Sequence, residues 1–290
     1  DGYEIFRPFL LRQGVEENQS IINQEMVSSL KFYNGVFPAQ YGDKMSSALD
    51  VNYSADERKK IGGVARIDFM NLGLALKGTI SKLNWLSGFR LAYPTMFIKQ
   101  LQTKGDYKPS FSDFQFFGTY SISSDDRLEI FFLSAVNRYD LIPKEWIGHF
   151  QTSRAEVHQV TIKEDGEKKY SFNTNLAALK YIHNFNSGST LSFSLSKYFT
   201  KENEKSDLVS DLFYSPEAES PEQEVQYLFK RIENIKNSIS FSSYYLRSEF
   251  RKSFGNHSAL SGLEFRLVTL INRKNEYYVE EGNKAIQIIP

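Results

Sequence analysis

The chain has 290 residues, enough for one large β domain or two ordinary ones, and its 35 basic and 35 acidic side chains cancel, so no global field draws it to nucleic acid. It has no cysteine, which excludes disulfide frameworks, thiolate metal sites and cysteine nucleophiles. No apolar run is long enough for a transmembrane helix, but a mean hydropathy of −0.43 leaves a transmembrane barrel open, because a wet interior face dilutes hydropathy.

In chain order, Asn23 introduces a short helical turn over Glu25, Met26, Val27, Ser28 and Ser29. A short strand follows at Leu30-Lys31-Phe32-Tyr33. Asn34-Gly35 and Tyr41-Gly42-Asp43 mark tight turns, and Ala48 to Tyr53 reads as a second strand. The charged run from Ser54 to Lys60 reads as a linker between two units. From about Ile61 the pattern becomes period-2 alternation in segments of about ten residues, the signal for strands with two different faces. Leu72, Leu74, Leu76 and Ile80 share one face; Leu83, Trp85, Phe89 and Leu91 stand against Asn84, Gly88 and Arg90. Further segments carry Phe114, Phe116 and Tyr120, then Leu128, Ile130, Phe132 and Val136. The alternation blurs over 172–183, then returns with Leu191, Phe193, Leu195 and Phe199 against Ser192, Ser194 and Ser196. Two long segments close the series, at about 238–254 and 258–272.

The links alternate in length. Turn formers make tight links at 81–82, 123–126, 184–188 and 255–257, and long polar links are expected at about 95–110, 141–169 and 201–235. An up-and-down barrel in a membrane has short turns on one rim and long loops on the other, and needs strands of about 9 to 11 residues to cross. A soluble β-sandwich offers similar strands without a reason to sort its loops.

Catalytic constellations are absent: no G-x-S-x-G, phosphate-binding glycine loop or HExxH spacing occurs, so no enzyme activity, cofactor or metal is expected. His149 and His158 flank Glu156 in an expected outer loop, read as solvated, while His183 and His257 stand alone. The stretch from Lys201 to Lys236 is acidic through Glu202, Glu204, Asp207, Asp211, Glu217, Glu219, Glu222 and Glu224, and reads as a solvated loop. Trp85, Tyr93, Tyr139, Trp146, Phe199 and Tyr244 lie near expected strand ends, where barrels carry aromatic girdles. Arg7 and Arg12 are candidates for pairing with carboxylates of the strand unit.

The run from Phe32 to Val51 resembles the end of the plug domain of TonB-dependent outer-membrane receptors. Its carriers are Gly35 in a turn, the Pro38-Ala39 step, Tyr41-Gly42-Asp43, and the Ser46-Ser47 start of a strand. Upstream, Asp1-Gly2-Tyr3-Glu4-Ile5 and Ile22-Asn23-Gln24-Glu25-Met26-Val27 are similar to the family's "DG" strand and "NPE-V" helix, with Gln24 where proline is usual. Gly42-Asp43-Lys44-Met45-Ser46-Ser47 looks most like receptors from Bacteroidota. Independently of the family, Gly35 and Gly42 are expected where φ is positive or a side chain would clash. Pro38 keeps its segment out of a ladder, and Ser46 and Ser47 present small polar groups to water.

The resemblance implies an all-β fold: a transmembrane antiparallel β-barrel, present here as about nine strands of 22, with the end of an α+β plug domain. Residues 1–55 would be the C-terminal part of the plug and 56–290 the N-terminal part of the barrel, with the remaining strands, the first half of the plug, the energy-coupling segment and any export signal outside the chain. It implies active import of a scarce nutrient, a small molecule, glycan or peptide bound by outer loops and plug apex, driven by the TonB-ExbB-ExbD complex, in contact with outer-membrane lipid and in some members capped by a surface lipoprotein. A passive porin or structural barrel is the alternative, and a soluble β-rich binding module the third reading.

Overall fold

The fold is taken from a computed structural model that describes residues 2–6, 20–36, 38, 40–42, 46–54, 61–68, 71–92, 105–151, 157–185, 188–215 and 225–282. Of the proposed linker at 54–60, all but Ser54 lies outside them. The first unit is a two-stranded antiparallel sheet of β1 (Val27–Asn34) and β2 (Ser47–Tyr53). It is preceded by a 3₁₀ turn over Gln24–Met26, capped by the Asn23 side chain, which accepts from the Glu25 amide at 3.2 Å. The expected helical turn therefore ends at Met26, because Val27 to Ser29 pair with β2 and join the strand.

The second unit is one large antiparallel sheet. Its strands are β3 (Gly62–Ile67), β4 (Asn71–Ile80), β5 (Leu83–Ala92), β6 (Gly105–Ser121), β7 (Asp126–Pro143), β8 (Trp146–Gln151), β9 (Val157–Phe185), β10 (Ser189–Ser215), β11 (Gln226–Phe254), β12 (His257–Arg273) and β13 (Glu276–Gly282). The order is β12-β11-β10-β9-β7-β6-β5-β4-β3, with β8 extending the β7 position along β9 and β13 extending the β12 position along β11. The sheet is open: β3 and β12 are its edges and do not pair with each other. The four tight links lie at one end. At the other end the links are shorter than the sequence suggests, because 105–110, 157–169, 201–215 and 226–235 are strand, and the link at 68–70 is itself tight, with Asp68 accepting from the Asn71 amide at 2.7 Å. Turn signals mark where chains reverse, but a ladder that carries charged residues on both faces leaves no alternation to read.

Successive side chains point to opposite faces, and the register carries each face across the sheet. One row runs Gly78, Trp85, Gly118, Ile130, Leu179, Leu195, Leu246, Phe265, and the next runs Ile80, Leu83, Tyr120, Leu128, Tyr181, Phe193, Ser248, Leu263. None of the described residues packs on this bare face, so Leu195 is 54% exposed. On the opposite face the row Lys77, Leu86, Phe117, Phe131, Ala178, Ser196, Tyr245, Arg266 lies beneath the N-terminal segment, and Ser196 is 5% exposed. This covered face holds the core: Leu86, Phe111, Phe117, Phe131, Leu133 and Leu176 cluster with Ile21, Met26 and Tyr53 of the first unit. The blur at 172–183 has the same origin, since Leu176 and Ile182 turn to the covered face and Leu179 to the bare one.

Candidate functional site

The most constrained chemistry lies where residues 20–26 and Tyr53 meet β5 and β6. Arg90 and Asp113 are register partners on the covered face. The guanidinium donates to Asp113 through Nε at 3.0 Å and Nη2 at 2.6 Å, a bidentate pair of the strong, directional kind. Its remaining donors reach three consecutive carbonyls of the N-terminal segment: Ser20 at 3.2 Å, Ile21 at 3.1 Å and Ile22 at 2.9 Å. Gln115, two residues along β6 and therefore on the same face, donates to the Ile21 carbonyl at 2.8 Å and to Asp113 at 2.6 Å. Its Oε1 accepts from the Tyr53 hydroxyl at 2.8 Å, and that hydroxyl accepts from the Asn23 amide at 3.2 Å. Gln115 has no exposed surface, so this network is satisfied by protein alone. Burial pushes the Tyr53 phenol up to about 12.

Shape closes the same contact. A Cβ at Gly88 would lie 2.4 Å from the Asn23 amide nitrogen and 2.5 Å from Met26 Sδ, so only glycine lets these side chains sit on β5. Residues 2–6 dock further along. Tyr3 stacks on Phe131, with ring centroids 6.2 Å apart, and burial raises its phenol pKa. Phe6 lies 4.8 Å from Phe241 and 5.5 Å from Tyr198, while Arg266 covers its ring at 5.4 Å and pairs with Glu4 at 2.5 Å. Two stretches of the N-terminal segment are thus held to one sheet, one by hydrogen bonds and one by aromatic packing.

No protein-family model matches the chain, and no curated protein matches it. The site must be judged on its geometry.

The described motif residues gather at the far end of the β1–β2 hairpin and do not meet the clamp, the Arg90–Asp113–Gln115–Tyr53 network that holds residues 20–23 to β5 and β6. Gly35 has φ of +78° and donates its amide to Ser46 O at 2.9 Å. Pro38 lies between the strands and its carbonyl accepts from the Tyr41 amide at 3.0 Å. The Tyr41 ring sits 5.4 Å from Tyr33, and burial pushes its phenol up to about 12. Ser46 and Ser47 are exposed, with Ser47 opposite Asn34. Gly42 corrects the expectation: its φ is not positive and a Cβ would meet nothing within 4 Å, so the turn does not require glycine there. Asp43, Arg7, Arg12, Tyr93 and Glu156 lie outside the described residues.

The acidic stretch is not a loop. Glu202, Glu204, Asp207 and Asp211 belong to β10, and Glu217, Glu219, Glu222 and Glu224 lie outside the described residues. The charges have partners: Lys168 pairs across strands with Glu233 at 3.1 Å, Lys205 pairs with Asp207 of the same strand at 2.8 Å and with Glu167 of β9 at 3.8 Å, and Glu204 accepts from Tyr170 and Asn237, both at 3.0 Å. The Lys169 ammonium holds the Glu167 carboxyl below its usual range. His158 is sandwiched between Phe150 and Tyr214, whose hydroxyl lies 2.7 Å from Nδ1. His149 sits on β8, and His257 opens β12. Nearby, Glu145, Gln159, Thr161, Lys163, Phe213 and Tyr214 line a cavity of about 240 Å³. Of the girdle candidates, Trp85, Phe199 and Tyr244 are on the bare face, while Tyr139 is buried on the other between Tyr107 and Tyr170.

Sequence reading missed Arg90, Asp113 and Gln115 as a unit. The signal was there in Phe111-Ser112-Asp113-Phe114-Gln115-Phe116, polar residues at period 2 inside an aromatic strand. What it lacked was the register that sets Asp113 opposite Arg90.

Proposed function

We propose that this chain is part of an outer-membrane β-barrel with its plug, of the TonB-dependent receptor type, and that it serves the active import of a nutrient. The observation that carries this reading is the pairing of an uncovered face rich in large apolar side chains, Phe193, Leu195, Leu246 and Phe265 among them, with a covered face on which serine, threonine, asparagine, glutamine and an arginine–aspartate pair are buried beside the apolar core. Soluble monomers rarely leave an apolar patch of many residues open to water, whereas a barrel places such a face against hydrocarbon. Apart from Lys197, the bare face of β10 is apolar over the nine residues from Leu191 to Phe199, about 30 Å along the strand, or roughly 23 Å in height at the usual barrel tilt. Edges β3 and β12 would then pair with further strands, because an unpaired edge facing lipid costs several kcal/mol per backbone group. The clamp supports an occluded interior: a passive pore has no use for a segment held across its wall by Arg90, Gln115 and Tyr53.

Transport in this reading needs no bond chemistry. Ligand binds from the side of the long strand extensions, and work applied to the plug loosens the clamp. Two measurements test it. The full-length protein should fractionate with outer membrane and migrate faster on a gel when unheated, and a deletion strain should lose uptake of at least one nutrient in a panel. Recovery in the soluble fraction, with uptake of every nutrient unchanged, would overturn the proposal.

A further inference from the structure

The bare face changes character at the upper border of its apolar rows. On the row two residues beyond Val136 lie Arg138 and Arg273, and on the next lie Lys108, Asp140, Lys169, Lys205 and Lys236 on five adjacent strands. Lys201 joins from the Val136 row. The register is unbroken through these pairs, so all point to the same side as Leu195 and Phe132. Each of these cations is exposed. Lys169, Lys205 and Lys236 are direct cross-strand neighbours, and like charges directly opposite in a sheet oppose its formation.

The carboxylates nearby do not balance them. Glu167 and Asp207, one row further out, serve Lys169 and Lys205, and Asp207 also faces Lys236. Asp140 shares the row. Among the described residues no carboxylate forms an ion pair with Lys108, Arg138, Lys201 or Arg273. The residual charge is positive, and it lies along the boundary where apolar side chains give way to polar ones. With strands spaced about 4.8 Å apart, the lysine row spans about 19 Å.

Resting on the membrane reading above, we propose that this strip binds the phosphate groups of an anionic glycolipid in the leaflet on the side of the strand extensions. Charge complementarity selects the headgroup and the apolar rows beneath accept the acyl chains, so the two requirements of an amphiphile are met on one face at adjoining heights. A soluble anion would satisfy only the first.

The test uses the full-length protein and a Lys169→Gln/Lys205→Gln/Lys236→Gln variant, with the corresponding triple arginine variant as control. Insertion is read first, as heat-modifiable migration after refolding into phosphatidylcholine vesicles. Lipid retention is then read by native mass spectrometry from detergent, with bisphosphorylated lipid A and its dephosphorylated form as probes. At about five-fold per basic side chain near an anionic surface, the glutamine variant should retain lipid A on the order of 100-fold less well, the arginine variant should match the unmodified protein, and all three should insert equally. Equal retention by all three, equal retention of the dephosphorylated lipid, or displacement by millimolar inorganic phosphate would each overturn the glycolipid site while leaving insertion intact. Failure of every protein to insert would instead overturn the membrane reading, and this inference with it.

Discussion

Residues 189–199 and 200–215 of β10 lie in one ladder between β9 and β11, continuous but for a register shift at Leu212/Phe213, yet their side chains follow different rules. In the lower half, from Leu191 to Ser196, apolar and serine residues alternate and the apolar ones face the bare side, a pattern that Lys197 and the buried Tyr198 interrupt before Phe199. In the upper half Lys201, Glu202, Glu204, Lys205, Asp207 and Asp211 occupy both faces; Lys205 pairs with Glu167 of β9 and with Asp207, and Glu204 accepts from Tyr170 and Asn237. Backbone pairing is common to both halves, so it cannot be the cause of the difference. The surroundings differ instead: the covered face of the lower half lies beneath the N-terminal segment while its other face stands open, whereas the upper half carries charges on both faces and buries only Thr200, Ser206 and Leu208 of β10.

Removing the support of the lower half's covered side should have the largest effect. Arg90→Ala leaves the fully buried Asp113 carboxylate unpaired and frees three carbonyls of residues 20–22, at a cost of about 3 to 5 kcal/mol. Hydrogen exchange should show the amides of residues 20–26 losing protection before those of the sheet. An arginine substitution on the bare face should separate the two halves. Leu195→Arg should cost about 2 to 4 kcal/mol in a bilayer, whereas Val209→Arg, on the same face of the upper half, should stay within about 0.5 kcal/mol. Unfolding of both variants in the same vesicles checks this, and equal costs would erase the distinction.

Titration sharpens the covered side further. The Tyr53 phenol is pushed up to about 12 by burial, so the neutral form is the one the folded state favours. Its contribution is complete below pH 10 and lost as the pH rises from 10 towards 12, on the order of 2 kcal/mol. The difference in tyrosinate absorbance between the unmodified protein and Tyr53→Phe should show this late ionisation. A smaller gain is expected at Asn137, which is fully buried on the covered face with neither amide atom hydrogen-bonded. Asn137→Leu should raise stability by about 1 kcal/mol, read as a shift in denaturation midpoint.

Much of the sheet was legible in the residues. Strands such as 83–92 and 189–199 declare themselves because their two faces meet different surroundings, and Ser81-Lys82 or Gly255-Asn256 declare the turns between them. The upper extensions did not, since charges placed on both faces carry no period. The hairpin from Val27 to Tyr53 was legible in outline, with Gly35 in its left-handed conformation as expected and Gly42 not requiring one. The clamp was hidden because its bonds between the N-terminal unit and the sheet join residues 62 to 94 positions apart, and no local pattern announces which strand lies opposite Ile21.

These 290 residues contain no cysteine, so single labels can be placed within them once any cysteine elsewhere in the full-length protein is replaced. Single cysteines at Phe193, Ser194, Leu195 and Ser196 of the full-length protein, each carrying a small fluorophore, can be read in vesicles of brominated lipid. The account predicts strong quenching at 193 and 195 and little at 194 and 196. Uniform quenching, or none at any of the four, would contradict it.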